Sequence, residues 1–173
     1  MNDIETIIRD IGVYKNNLIS IFQSSPDICE LMLGKNYSVD DVDKMIYTQL
    51  FPYLYVDETQ TEVLPYLCVE IDIPRIATAT IKDVKIIIWA YCHKDCMKYT
   101  KKGYLGTRVD LLADMVERLL HDSRDFGIGK LRLESVSYMF PNNKYYGRQL
   151  IFMIPDFSTK DYSLLERKVD DGT

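Results

Sequence analysis

No apolar run in the 173 residues approaches the ~20 positions that a membrane-spanning helix requires. The longest, such as Ile86 to Cys92, is a third of that. Histidine is scarce, with two residues, and the four cysteines at 29, 68, 92 and 96 are too scattered for a disulfide framework. Reduced thiols in a cytoplasm are the simpler reading. The opening MNDIETIIRD carries acids where an export signal carries lysines, so no export signal is expected. Internal repeats and Gly/Ser- or Pro-rich linkers are missing, which argues against a solenoid or a string of modules.

What remains is the composition of a globular chain: 47% hydrophobic and 27% charged. The length suits one domain, residues 1–173, with a helical portion over 1–50, a sheet-and-helix core over 51–157 and a polar tail over 158–173. Charge is uneven. Residues 1–93 carry a net −7, residues 94–108 a net +4, and the remainder −2, giving −5 in all. A short basic loop therefore sits in an acidic protein. Broad nucleic-acid affinity needs a wider basic face than this, although one loop suffices to touch phosphate.

Ile4, Ile7, Ile8, Ile11, Leu18 and Phe22 recur at helical spacing and predict one apolar stripe. In "SSPDICELMLGKN", Ser25 suits an N-cap, Pro26 the first helical position and Gly34 the stop. In "YSVDDVDKMIYTQLFPYL", Ser38 caps a third helix with Asp40, Asp41 and Asp43 at its positive end. Val42, Met45, Ile46 and Leu50 face inward, and Pro52 closes the segment. The period then changes. "PYLCVEIDI" alternates, with Leu67, Val69 and Ile71 buried and Cys68, Glu70 and Asp72 wet. "PRIATATIKD" reads as a loop or irregular edge. "VKIIIWAYC" is apolar on both faces and predicts a covered central strand. Thr107 caps a helix whose inner face is Val109, Leu112, Met115, Val116, Leu119 and Leu120. After Gly127 and Gly129 the apolar phase of "KLRLESVSYMF" slips between Leu133 and Val136, predicting a bulge before the turn "PNNK" and the return strand "YYGRQLIFMI". The predicted class is α+β: a mainly antiparallel four-stranded sheet with a helix inserted between two strand pairs, plus N-terminal helices.

"WAYCHKDCMKY" places Cys92, His93 and Cys96 within five positions. A structural zinc site needs four ligands, and the second pair is missing. A redox pair prefers two intervening residues at a helix N-terminus, whereas here there are three on a strand running into a loop. A Cys–His nucleophile needs side chains that meet, yet neighbours on a strand point to opposite faces. Cys92 shares the face of Ile86, Ile88 and Ala90 and reads as a buried small hydrophobe. The glycines of "GYLGTR" and "FGIGK" match no phosphate-binding spacing. Asp110, Asp114, Glu117 and Asp122 read as the solvated face of the late helix, and His121 sits where a cation is welcome. Arg108, in that helix's first turn, opposes the dipole; this hints at a partner elsewhere, against the plainer reading of a solvated side chain. The thirteen tyrosines fit half-buried sheet positions and contact surfaces equally well.

The order "LPYLCVEID", "KDVKIIIWAYCHK", polar loop, "RVDLLADMVERLL", "GIGKLRLESV", turn and "YYGRQLIFMI", over about Phe51 to Phe157, resembles the tail-terminator and head–tail joining (neck) proteins of tailed bacteriophages. The resemblance implies a virion structural protein of the tail or neck, made in the host cytoplasm, without catalysis, cofactor or metal. It implies a ring, often of six copies, between tail tube and neck or connector proteins, with DNA crossing the lumen and no membrane partner. An acidic lumen lets a DNA backbone slide where a basic one grips it. The expected contacts are the basic loop (Lys94, Lys98, Lys101, Lys102, Tyr104, Arg108) meeting an acidic neighbour. Asp57, Glu58, Glu62, Arg75, Tyr145 and Tyr146 complete the expected interface. The alternative is a small cytoplasmic enzyme or ligand-binding protein using loop 94–108 with Cys92 and Cys96. A DNA-binding module, betrayed by steeply salt-dependent affinity, is a third reading.

Overall fold

The structure is a computed structural model that describes residues 6–78, 82–101, 103–104, 106–127 and 129–154. Ile4, Lys102 and the expected polar tail at 158–173 lie outside the described residues.

Helix α1 spans Ile7–Gln23, with the Thr6 hydroxyl accepting from the Arg9 amide at 3.3 Å. Only its second half is buried, through Leu18, Ile19 and Phe22. Ile8, placed in the apolar stripe by its spacing, is 75% exposed. Helix α2 (Pro26–Leu33) has the predicted punctuation: Ser25 as N-cap, proline in the first turn and Gly34 at φ 92°. Helix α3 (Val39–Lys44) opens with a capping box in which Ser38 and Asp41 satisfy each other's amides.

The third helix is shorter than its apolar period implies. It stops at Lys44, Tyr47 turns the chain at φ 60°, and Leu50–Phe51 form a two-residue strand, β1. Met45 and Leu50 are buried as expected, but from a turn and a strand. β1 pairs in parallel with β2 (Pro65–Ile76) through Leu50 to Leu67 and Phe51 to Cys68. β2 then pairs antiparallel with β3 (Lys82–His93). A 3₁₀ turn (Lys94–Cys96) and helix α4 (Arg108–Leu120) precede β4 (Arg132–Asn142) and β5 (Tyr145–Met153). The sheet order is β1-β2-β3-β5-β4. The α+β class and the helix between strand pairs therefore stand, while the sheet is five-stranded and mixed instead of four-stranded and antiparallel. Two residues are too few to carry an alternation, so β1 was hidden under the end of a helical pattern.

α1 and α2 lie against β2, and α4 lies against β3 and β5. The main core gathers Leu67, Val69, Ile71, Ile86, Ile88, Leu150 and Phe152 from the sheet, under Phe22, Ile28, Leu112 and Val116. Leu111 is buried, while Leu119, assigned to the inner face, is exposed. The bulge expected in β4 falls between Leu133 and Ser135. β2 runs on to Ile76 through an irregularity between Asp72 and Arg75, so part of the expected loop is strand.

The opposite face of the sheet carries a second, smaller core of Phe51, Tyr66, Cys68, Tyr91 and Tyr145, packed with Tyr55 and Leu64. The connection 52–64 crosses this face as a strap. Cys68, expected to be wet, is fully buried here. Gly147 lies in the same layer, opposite Tyr91. A Cβ there would fall on the Ala90 carbonyl and on Tyr91, so only glycine fits.

Candidate functional site

At the end of β3, parity separates the two residues that the sequence sets side by side. Cys92 points with Ile88 and Ala90 toward the helices, and His93 points with Tyr91 toward the strap. The buried His93 ring meets Tyr145 edge-on at 5.2 Å, and its Nδ1 accepts from the Asp95 amide at 3.2 Å, capping the 3₁₀ turn. It is a structural acceptor there, holding the loop's entry.

That turn carries Cys96 back toward Cys92. The Cys96 thiol donates to the His93 carbonyl at 3.3 Å, and Cys92 Sγ lies 3.6 Å from Met97 Sδ. A hydrogen bond from Cys92, helped by the Arg108 charge, draws the Cys96 thiol down to about 7 against the opposing effect of burial. The same bond, and then burial, push Cys92 far up. Cys92 is thus the buried hydrophobe that its strand parity predicts. Its contact with a half-buried, easily ionised Cys96 was missed, because nothing in the spacing alone fixes a 3₁₀ turn. Among the described residues no group of three or more His, Cys, Asp and Glu side chains is placed to hold a metal ion.

Arg108 has the partners that its awkward place on the helix dipole hinted at. Its Nε donates to the Cys96 carbonyl at 2.8 Å and a terminal nitrogen to the Leu31 carbonyl at 2.6 Å. The guanidinium lies 4.7 Å from the centre of the Tyr99 ring. It staples the loop to the C-terminal end of α2, where helix carbonyls lack internal donors. Tyr99 in turn donates to Glu30 at 2.7 Å, and burial with that bond pushes its hydroxyl up to about 12. Lys101 pairs with Asp27 at 2.8 Å, and the Tyr104 hydroxyl donates to the Thr107 carbonyl at 2.7 Å. Much of the basic loop is therefore engaged within its own chain, leaving Lys94 and Lys98 exposed.

The remaining expected contact residues divide. Tyr145 is buried, and its hydroxyl donates to the Glu62 carbonyl at 2.6 Å; the Tyr91 hydroxyl donates to the Tyr55 carbonyl. These two side chains hold the strap by its backbone. Asp57 closes a local turn by accepting from the Thr59 amide and hydroxyl at 2.8 and 2.7 Å, which lowers its carboxyl. Glu58 and Glu62 are exposed, and Arg75 faces Asp83 at 3.4 Å. Tyr146 is half-buried against Phe140, ring centres 5.2 Å apart.

A surface that the sequence did not single out lies along β4. This strand is the sheet's edge, and nothing among the described residues pairs with its outer side. Val136, Tyr138 and Phe140 are 50%, 63% and 49% exposed on its helix-side face, beyond the reach of α4. Between them and α4 runs a groove of about 130 Å³ lined by Met97, Val109, Asp110, Tyr138, Tyr146 and Arg148. Arg148 is tied to Asp110 at 2.8 Å across its floor. The signal was present as the apolar phase slip in "LRLESVSYMF": the bulge after Leu133 absorbs it and keeps Val136, Tyr138 and Phe140 on the helix-side face, past the cover of α4.

The sequence profile of a family named YomW, a phage-derived (Bacillus prophage-like) name, matches residues 25–154. No curated protein and no solved structure matches the chain.

Proposed function

We propose, from the premise that this chain belongs to the YomW family, that it is a structural protein of a tailed-phage particle. The finer reading is a ring-forming tail terminator or head–tail joining component, built from copies of the chain, often six, between tail tube and neck, with DNA passing through. The phage-derived family name supports the origin. The observation that carries the assembly reading is the surface of β4: an edge strand with no outer partner among the described residues, bearing three exposed large apolar side chains. Isolated proteins blunt such edges, and proteins that assemble leave them open. A net charge of −5 suits a channel that does not grip DNA.

The experiment is peptide mass spectrometry of gradient-purified particles of the encoding phage, with electron microscopy of particles made without the protein. The expected result is its presence at a few copies per particle, and heads and tails left apart or tails of faulty length in its absence. Particles that lack the protein and assemble normally without it would reject the reading.

The alternative of a small enzyme or ligand-binding protein has one observation in its favour, the Cys96 thiol beside Arg108 with its pKa near 7. Cys96→Ser distinguishes the two. Particle assembly unchanged by the substitution favours the structural role, and assembly lost with folding intact favours thiol chemistry.

A further inference from the structure

We infer that Cys92 and Cys96 form an oxidation-sensitive dithiol, in which a peroxide reacting at Cys96 closes an intramolecular disulfide to Cys92. The inference goes beyond the assembly reading and does not rest on it.

Four positions along an extended strand would hold two residues about 13 Å apart. β3 instead ends at His93, and the 3₁₀ turn Lys94–Cys96 folds the chain back on itself. Three contacts hold that turn. The His93 ring accepts from the Asp95 amide, the Cys96 thiol donates to the His93 carbonyl at 3.3 Å, and Arg108 Nε donates to the Cys96 carbonyl at 2.8 Å. The Cys92 side chain leaves β3 on the same side. Its sulfur lies 3.6 Å from Met97 Sδ and in hydrogen-bond contact with the Cys96 thiol. Backbone held at both cysteines thus keeps their sulfurs together, as disulfide formation requires.

The two thiols differ in access. Cys96 is half-buried, within reach of a molecule as small as hydrogen peroxide, whereas Cys92 is fully buried. The Arg108 guanidinium beside Cys96 stabilises its thiolate, the form that peroxide oxidises. Neither remaining cysteine is placed to answer. Cys68 lies in the small core on the opposite face of the sheet, and Cys29 is buried in α2 with its thiol turned to the Phe22 and Gln23 carbonyls.

The Cys96 thiolate attacks one oxygen of hydrogen peroxide. An S–O bond forms, the O–O bond breaks, and the departing hydroxide takes up the proton that the thiol had released. A sulfenic acid and one water result. The bond to a charged Cys96, which does most to hold the Cys92 proton, is then gone. The Cys92 sulfur attacks the Cys96 sulfur, its proton goes to the leaving hydroxyl, and an S–S bond replaces the S–O bond as a second water departs. The two thiols lose two electrons in all, and the peroxide gains them. A dithiol such as dithiothreitol returns both to thiols by exchange. In a reducing cytoplasm they stay reduced, so particle assembly does not call on the bond.

The full chain, reduced, desalted and treated with hydrogen peroxide beside a metal chelator, tests this by mass spectrometry. The expected product is a monomer lighter by two hydrogens, in which only two of the four cysteines take up N-ethylmaleimide after unfolding. Trypsin cuts after Lys85, Lys94 and Lys98, so the bond shows as fragments 86–94 and 95–98 joined through sulfur, and dithiothreitol parts them. Cys96→Ser keeps Cys92 reduced under the same treatment. Cys92→Ala strands the sulfenic acid, and dimedone labels Cys96 about tenfold more than in the parent. Four free thiols in the peroxide-treated parent overturn the inference. So does a disulfide between different chains, or oxygen gathering on Cys96 or Met97 while Cys92 stays free. If Cys92→Ala loses its fold by circular dichroism, the fragments of the parent decide alone. Absence of the protein from phage particles rejects the functional reading and leaves this chemistry standing.

Discussion

Arg108→Ala should be among the most destabilising single changes on this protein's partly exposed surface, and its size follows from three contacts. The guanidinium donates to two backbone carbonyls, at 2.8 Å to Cys96 and 2.6 Å to Leu31, and covers the Tyr99 ring. A hydrogen bond to a charged group contributes ~1.5–3 kcal/mol where buried. Arg108 is only half-buried, so solvent screening cuts each to about 1 kcal/mol. The ring contact adds ~0.5–1 kcal/mol. Losing all three gives an expected loss of about 2–3 kcal/mol, or a fall in Tm of roughly 5–10 °C for a chain of this length. Arg108→Lys keeps the charge, but a single ammonium on a different stem cannot hold both carbonyls in the same fork, so it should recover about half of the loss. Urea denaturation followed by far-ultraviolet circular dichroism reads the difference, with m unchanged if only stability moves. If Arg108→Ala lies within ~0.5 kcal/mol of the parent, the staple is illusory and the arginine is again a candidate for an external anion.

Gly147→Ala should cost about 2–4 kcal/mol, since its Cβ meets backbone that cannot yield, whereas Gly12→Ala in open space on α1 should gain ~0.5–1 kcal/mol; paired thermal melts check both signs. Tyr145→Phe removes the hydroxyl that holds the Glu62 carbonyl and should cost about 1 kcal/mol, seen as faster amide exchange in residues 55–64 while β3 stays protected. Alkylation by iodoacetamide should label Cys96 with an inflection near pH 7, leaving the buried Cys29, Cys68 and Cys92 unlabelled until the protein unfolds. Because the folded Cys96 thiol is lower than its ordinary 9.0, its ionisation adds stability that grows from about pH 7 up to pH 9 and is absent below; Cys96→Ser should remove that rise.

Much of the fold was legible because its signals were local. Ser25, Pro26 and Gly34 are punctuation that acts over one helical turn, and Thr107 caps α4 where the sequence places it. The both-faces apolarity of β3 also came true, but half for a reason the sequence hides. Its second cover is an irregular strap whose seat depends on Tyr91 and Tyr145, 36 and 83 positions away from the carbonyls they hold. Contacts at that separation leave no periodic trace, so Cys68 looked wet and Tyr145 looked like a surface contact. Arg108 is the intermediate case. Its misplacement against the helix dipole was visible in one dimension, and its partner, the last turn of α2, was not. The exposed stripe of β4 was written as a slip in phase, which the bulge absorbs so that the apolar side chains keep one face; the sheet order was needed to show that this face runs onto an edge with no partner among the described residues.

The strap has one more consequence. Tyr91 and Tyr145 grasp it by main-chain oxygens that every amino acid possesses, so they fix its path and are indifferent to its spelling. Between those two clasps Asp57, Thr59 and Gln60 shape a local turn with their side chains, while Glu58 and Thr61 are exposed positions that can be rewritten, or extended by a short peptide tag, with the anchors keeping hold. That makes the strap a natural place to attach a label, on the side of the sheet away from the exposed stripe of β4.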